Sequence, residues 1–346
     1  MKRTSKLFAY IIVFVLAFSL LCACSGSDGT GGGTSGGTGG GTNGIVADTG
    51  SDVSEVVTVP DSSGMFTDAD KTPSYDAASA VAISIDGGAV TADSDTVSAL
   101  GGKATITEPG TYIVSGSGSN VTIIVDVPSA ITEKVRLVLS GASIVNDDFA
   151  AIYIKSADKT FIVLEGENSL AVTGSFAAID YNKVDGVIFA KDNVVLQGEG
   201  SLTITSSKHG IVGKDDVKIT GGTISVTAAN HGIEANDSVR VASASLTIVS
   251  NKNGIHVENI YDATKGYFYM ESGSLKITSG YEGIDASGAV EITGGTTDIT
   301  SGDGSGKTLS SSDVSTKGVK SSADMLISGG NPGGRPGGRM QEANRD

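Results

Sequence analysis

The chain has 346 residues, with 24 basic and 39 acidic side chains, a net charge of −15, 5% aromatics and no tryptophan. A phosphate backbone calls for a basic stripe, so this balance argues against nucleic acid as a partner. It argues equally against a tryptophan platform for stacking sugars, and leaves tyrosine as the available aromatic.

Lys2, Arg3 and Lys6 precede an apolar run over residues 7–21. A charged start and a short apolar core predict a secretory signal, not a structural helix. The run closes on Leu21-Cys22-Ala23-Cys24, which resembles the lipobox of bacterial lipoproteins. Cys24 fits that pattern better than Cys22, because bulky Leu21 stands where a small residue is expected before Cys22. The expectation is a signal peptide over 1–23, lipidation at Cys24 and residence on the extracytoplasmic face of the cell membrane. Membrane contact is then through that lipid alone; the rival is an uncleaved membrane anchor. Cleavage leaves no free cysteine for a disulfide. It also removes three basic side chains, taking the net charge to −15 − 3 = −18.

Residues 25–44 are almost wholly Gly, Ser and Thr. Such a segment buries no core and spans roughly 25 Å on average as a flexible tether. Residues 45–79 are polar, acidic and aperiodic, and read as an extension of it, so the linker is placed over 24–79. Alternating apolar residues begin at Val81, Ile83 and Ile85 and recur irregularly through residue 127. That stretch reads as an N-terminal cap and first coils, since an open sheet end invites pairing with other chains.

From Asp185 onward the chain repeats itself. Residues 207–228, SKHGIVGKDDVKITGGTISVTA, align with residues 229–250, ANHGIEANDSVRVASASLTIVS, and Gly210, Gly232 and Gly254 fall 22 apart. Val217 and Ile219, Ile224 and Val226, then Val239, Val241, Leu246 and Ile248 alternate with polar residues, the signature of strands with one buried face. Gly221-Gly222 and similar pairs mark turns. The fold class that follows is all-β: a parallel β-helix solenoid with three short strands per coil of about 22 residues. A leucine-rich repeat would need a Leu-x-x-Leu-x-Leu frame that is absent. Two loops lengthen the later coils, between Gly254 and Gly283 and between Gly283 and Gly318. In the first, Phe268 aligns with buried positions and Tyr269 with outward Lys218 and Arg240, so Tyr269 is expected to be exposed. Residues 331–346 read as a disordered tail.

Stacking turns columns of the alignment into columns in space, about 4.8 Å apart. One holds Asp192, Asp215 and Asp237; its neighbour holds Asn193, Asp216 and Ser238. Like charges that close call for a neutraliser. Calcium suits them because it takes six to eight hard oxygens in irregular geometry. Lys191 and Lys214 are rival neutralisers, and Asp and Asn also simply favour turns. Asp180, Asp185 and Asp192 form a further acidic patch with the same alternatives. The residue before each repeat glycine gives a polar column of Asp185, His209, His231, Asn253, Glu282 and Lys317. Two positions after each glycine stand Val212, Glu234, His256, Asp285 and Lys320. These columns flank a lengthwise strip suited to an extended polysaccharide, with His209, His231, Glu234, Asn253, His256, Glu282, Asp285 and Tyr269 as candidate contacts. No spacing among the three histidines fits a compact zinc motif.

The run from Asp185 to Ser243, with upstream EPGTYIVSG, KVRLVLSGASI and AAIYIKSADKTFIVLEGENSL, resembles the carbohydrate-binding domain of bacterial surface lipoproteins built as right-handed parallel β-helices. The resemblance covers residues 80–330. It implies a calcium-containing solenoid, of pectate-lyase-like architecture, that binds polysaccharide such as polygalacturonate or cellulose-like glucans without cutting it. Members of that family continue with further coils beyond STKGVKSSADMLISGG, whereas here that segment runs into the tail. Alternatives are a polysaccharide lyase and a structural or adhesive envelope protein with a protein partner. A lyase base on such a fold is an Arg or Lys. The folded region offers only Arg136 and Arg240 as arginines, and no catalytic residue is assigned.

Overall fold

The computed structural model describes residues 62–302, 304 and 316–329. The signal peptide, Cys24, the glycine-rich tether, most of the second loop and the tail predicted above lie outside the described residues. No helix among the described residues is long and apolar enough to cross a membrane.

The repeat folds as its alternation dictates, into a parallel β-helix. Each regular coil carries three strands, and each strand pairs in parallel with its counterpart one coil on. The first face runs through Ile152–Ser156, Gly186–Ala190, His209–Gly213, Ile233–Ala235, Ile255–Val257, Ile284–Ala286 and Val319–Ser321. The second runs through Lys159–Glu165, Asn193–Gly198, Asp216–Ile219, Ser238–Val241, Tyr267–Met270, Val290–Ile292 and Met325–Ile327. The third holds Glu167–Val172, Ser201–Ser206, Thr223–Ala228, Ser245–Ser250, Ser274–Ser279 and Thr296–Ser301. The exceptions to parallel pairing sit at the N-terminal end, where Val81–Gly87 meets Ala89–Ala92 and Val97–Leu100 meets Lys103–Ile106 in antiparallel.

Inward residues form ladders of like side chains. Ile211, Ile233, Ile255 and Ile284 stand in register on the first face, each fully buried. Val217, Val239, Phe268 and Val290 do the same on the second, so Phe268 is core as its alignment predicts. The repeat glycine is required by crowding at the corner. A Cβ on Gly232 would stand 2.3 Å from Ile248 Cγ2 and 2.7 Å from the Gly254 carbonyl oxygen, closer than any side chain tolerates.

The segment read as linker is corrected in part. Residues 62–79 form an ordered strap laid along the outside of the second face. Asp68–Lys71 is a single helical turn closed by a capping box: Thr67 Oγ1 accepts from Asp70 N while Asp70 Oδ2 accepts from Thr67 N. The strap runs back up the stack. Met65 packs with Tyr267 and Tyr269, Asp70 lies over Lys218 and Lys159, and Tyr75 reaches Glu165 near the N-terminal coils. Aperiodic sequence is what such a segment needs, since it contributes no strand to any ladder.

Candidate functional site

The outward column of the first face changes character along the solenoid. In register order it reads Ile124, Tyr153, Phe189, Val212, Glu234, His256, Asp285, Lys320. Its apolar half forms a second, external cluster of Phe149, Ala150, Tyr153, Val184, Phe189 and Val212. Phe149 and Phe189 both meet Tyr153 edge-on. Its polar half, Glu234, His256, Asp285 and Lys320, is partly exposed and held by ion pairs centred on Glu234 and Asp285. Lys214 Nζ lies 3.3 Å from Glu234 Oε1, His256 Nδ1 lies 3.5 Å from Asp285 Oδ2, and Lys320 Nζ donates to Asp285 Oδ1 at 2.9 Å.

The column before the repeat glycines stands beside it. The register places His209, His231, Asn253, Glu282 and Lys317 in line, as the alignment predicts. Asp185 does not belong there. Gly186 pairs with His209, which sets Asp185 opposite Lys208, and Lys208 Nζ donates to its Oδ2 at 2.8 Å. The preceding coil is one residue longer than the repeat. His209, Asn253 and Glu282 are buried, at 6%, 4% and 5% exposure, so they support the surface rather than form it.

All three histidine rings come together in one stack. His209 and His231 are 5.2 Å apart between centroids at 19°, and His231 and His256 are 4.8 Å apart at 18°. Asn253 N donates to His231 Nδ1 at 3.2 Å, and Asn253 Nδ2 donates to Asp285 Oδ2 at 3.1 Å. Burial, with the neighbouring rings, pushes His231 down to about 3. Burial likewise lowers His209, against the pull of Glu234 and Asp185. His256 moves the other way: burial opposes its charge, but the bond to Asp285 prevails and raises it. Asp285 is brought down to about 2, since His256 and Lys320 outweigh its burial. Glu234 is lowered too, with His209 and Lys214 outweighing burial. At neutral pH the stack therefore has two uncharged rings at one end and a cationic tendency at the other.

Tyr269 is the clearest correction. It points outward as aligned, yet it is 2% exposed because the strap covers it. Met65 packs on it and the Phe66 ring lies 6.1 Å away. No ligand reaches it while the strap is seated. Its neighbours serve the same contact: Arg240 Nη1 donates to Met65 O, and Lys218 and Lys159 bind Asp70.

The acidic turn columns are in register where the alignment put them, with Asp216 beside Ser238 and the Val194–Val217 pair fixing Asp192 next to Asp215. Several members have partners within the chain. Asp192 Oδ2 accepts from Ala157 N, Asp216 Oδ2 accepts from Arg240 Nη2 at 2.8 Å, and Asp237 Oδ2 accepts from Lys265 Nζ at 2.7 Å. Asp180 accepts from the Tyr153 hydroxyl at 2.6 Å. Asp215 is different. Among the described residues no donor reaches its carboxylate, and burial, Asp237 and Asp192 push it up to about 6. A hard cation at that turn would relieve this repulsion, but among the described residues Asp192, Asp215 and Asp237 do not bring three ligand atoms within 4.8 Å of one another.

Comparison with known proteins adds to this geometry. A family model for carbohydrate-binding domain-containing proteins matches residues 100–332. A carbohydrate-binding domain-containing protein of Acetivibrio thermocellus is 41% identical over 192 residues, covering 54% of this chain. The match covers 66% of that relative, just under two thirds of its length. A solved structure of the polysaccharide lyase-like protein from C. thermocellum, a gadolinium derivative, is similar with a TM-score of 0.65 at 32% identity. It covers 72% of this chain and 98% of that one.

Proposed function

This chain belongs to the carbohydrate-binding domain family, and from that premise we propose that it is a lipid-anchored surface protein that binds polysaccharide along the open half of its first face and does not cut it. The observation that carries the reading is the column of Glu234, His256, Asp285 and Lys320. These side chains stand one coil apart, along the solenoid axis, and within reach of solvent. Ion-paired carboxylates, an imidazole and an ammonium offer donors and acceptors to sugar hydroxyls without aromatic stacking. An extended ligand matches their linear spacing. The lipobox-like Cys24 and the glycine-rich tether support anchorage at the membrane surface.

Calcium enters this reading at Asp192, Asp215 and Asp237, where it would hold the turn column and soften the repulsion between the cleaved chain, of net charge −15 − 3 = −18, and an acidic polysaccharide. Neutral glucans meet no such repulsion. The lyase alternative draws on the name of the structural neighbour. Against it stands the use to which both arginines of the folded region are put. Arg240 binds Asp216 and the strap, and Arg136 lies over the Phe161 ring at 4.9 Å.

A glycan array read with and without EDTA tests the reading. Retention of one polysaccharide class supports it, and loss of acidic glycans alone on chelation places calcium in the contact. Absorbance of unsaturated uronate, after mixing with polygalacturonate and calcium, would establish cleavage and overturn the non-catalytic part. Enrichment of one envelope protein in a pull-down, with no glycan retained, would favour the adhesive alternative.

A further inference from the structure

We propose that His209, His231 and Glu234 form a binding site for a borderline-soft divalent cation of the zinc class. One ligand atom from each of these residues lies within 4.8 Å of the others, and this is the one such grouping of three His, Asp, Glu or Cys ligands among the described residues. The site joins two adjacent coils. His209 opens one first-face strand, and His231 and Glu234 flank the repeat glycine of the next.

Three features favour a metal over an ordinary polar cluster. His209 Nδ1 is buried and has no hydrogen-bond partner, which a folded protein seldom leaves so. It lies 3.3 Å from Glu234 Oε2, about the edge of a tetrahedron whose centre holds zinc at roughly 2.0–2.1 Å from each ligand. Lys214 holds the other oxygen of Glu234, Oε1, so Oε2 is the one left for an ion. The far nitrogen of the His209 ring, Nε2, meets the Asn230 side-chain amide at 3.4 Å, and Asp185 Oδ2 stands farther off at 3.8 Å.

Two imidazoles and one carboxylate match zinc rather than calcium, which prefers an all-oxygen shell. His231 binds the ion either by releasing the 3.2 Å bond from Asn253 N to its Nδ1 or by presenting Nε2 after a change of tautomer. Either route forfeits one long hydrogen bond. His231 and Glu234 are partly exposed, so an ion enters directly from solvent, and the fourth tetrahedral position remains for water or an anionic ligand. His256 is outside the set, because its Nδ1 is occupied by Asp285.

The test uses the full chain, stripped with EDTA and dialysed. Zinc is titrated by calorimetry, and cobalt(II) is followed through its visible ligand-field absorption. The expected result is one zinc per chain, not displaced by excess calcium. His209→Gln and His231→Gln should each weaken zinc by about tenfold or more. His256→Gln should keep the stoichiometry at one. Circular dichroism melts of the glutamine variants confirm that they are folded, and Glu234→Gln gives a second route should either histidine variant misfold. The chain contains three histidines in all, so every imidazole-dependent signal is assigned by these variants. Absence of zinc binding to the folded chain would overturn the proposal. So would an affinity unchanged in both His209→Gln and His231→Gln, full displacement by calcium, or an equal loss in His256→Gln.

Discussion

The first and second outward faces of this solenoid come from the same repeat and have different fates. On the second, Lys218, Arg240 and Tyr269 lie under the strap of residues 62–79 and are used to hold it. On the first, His256 and Lys320 pair with Asp285, Glu234 pairs with Lys214, and all four column residues keep contact with solvent. Both columns are polar, outward and in register. What separates them is a segment that joins no ladder. A charged column in a β-helix is therefore a docking surface by default, and whether it serves the chain or a ligand depends on what the chain lays over it.

The strongest way to break the comparison is to unseat the strap. Asp70 is fully buried, with Lys218 Nζ at 2.8 Å and Lys159 Nζ at 2.9 Å. Asp70→Ala leaves both ammonium groups, themselves largely buried, without a counter-charge. The expected loss is about 3–5 kcal/mol in urea unfolding, the usual result of removing one partner of a buried pair. A loss below about 1 kcal/mol would show that the strap contributes little to stability.

Next comes a pair of substitutions with opposite signatures. Tyr269→Ala removes a buried ring from the Met65–Tyr267 cluster and should cost about 3 kcal/mol, while leaving polysaccharide affinity unchanged. Asp285→Ala should leave the strap in place and weaken polysaccharide binding, read as a reduced array signal. If Tyr269→Ala abolished binding in a folded protein, the covered face would be part of the ligand site and the division drawn here would fail.

Acid sharpens the same division. The Lys218 bond, the Thr67 amide and Lys159 outweigh the burial of Asp70 and bring its pKa down to about 2, from an ordinary 3.8. A depressed carboxylate contributes stability above its unfolded pKa and loses it as pH falls from about 4 towards 2. The amount is about 2 kcal/mol. Asp285, also brought down to about 2, contributes with the same sign on the open face. Hydrogen exchange resolves the two: amides of residues 67–71 should lose protection across this window in the parent chain. Asp70→Asn should remove that pH dependence.

The repeat itself was legible because its information is periodic. Gly210, Gly232 and Gly254, with Val217 and Val239 between them, announce coils, strands and register in a local window. The strap was not, although its capping box at Thr67 and Asp70 is a local signal for one helical turn. Its docking is written in single residues that meet partners far along the chain: Met65 with Tyr269, Asp70 with Lys218, Tyr75 with Glu165. No periodicity records such contacts, so Tyr269 reads as exposed until its cover is seen. The histidine column was legible from the alignment, but its sequence spacing spoke against zinc. Zinc spacing is sought within a few residues, whereas a solenoid makes neighbours of His209 and His231 from adjacent coils. Asp185 slipped by one position because the coil before the regular repeat is one residue longer.

The smallest expected effect concerns the acidic turn column, which belongs to neither face. Asp215 is pushed up to about 6 by burial, Asp237 and Asp192, and no donor among the described residues answers it. A raised carboxylate favours the folded state only while protonated, so this contribution fades as pH rises from about 4 through 6. At pH 7.5 in calcium-free buffer, Asp215→Asn should then stabilise the chain. The gain is modest, about 1 kcal/mol after allowing for solvent screening at a partly exposed turn. Added calcium should reverse the order, raising the melting temperature of the parent chain and leaving the variant where it was. If calcium raised both equally, it would bind elsewhere, and the repulsion in this column would be tolerated for the sake of the turn alone.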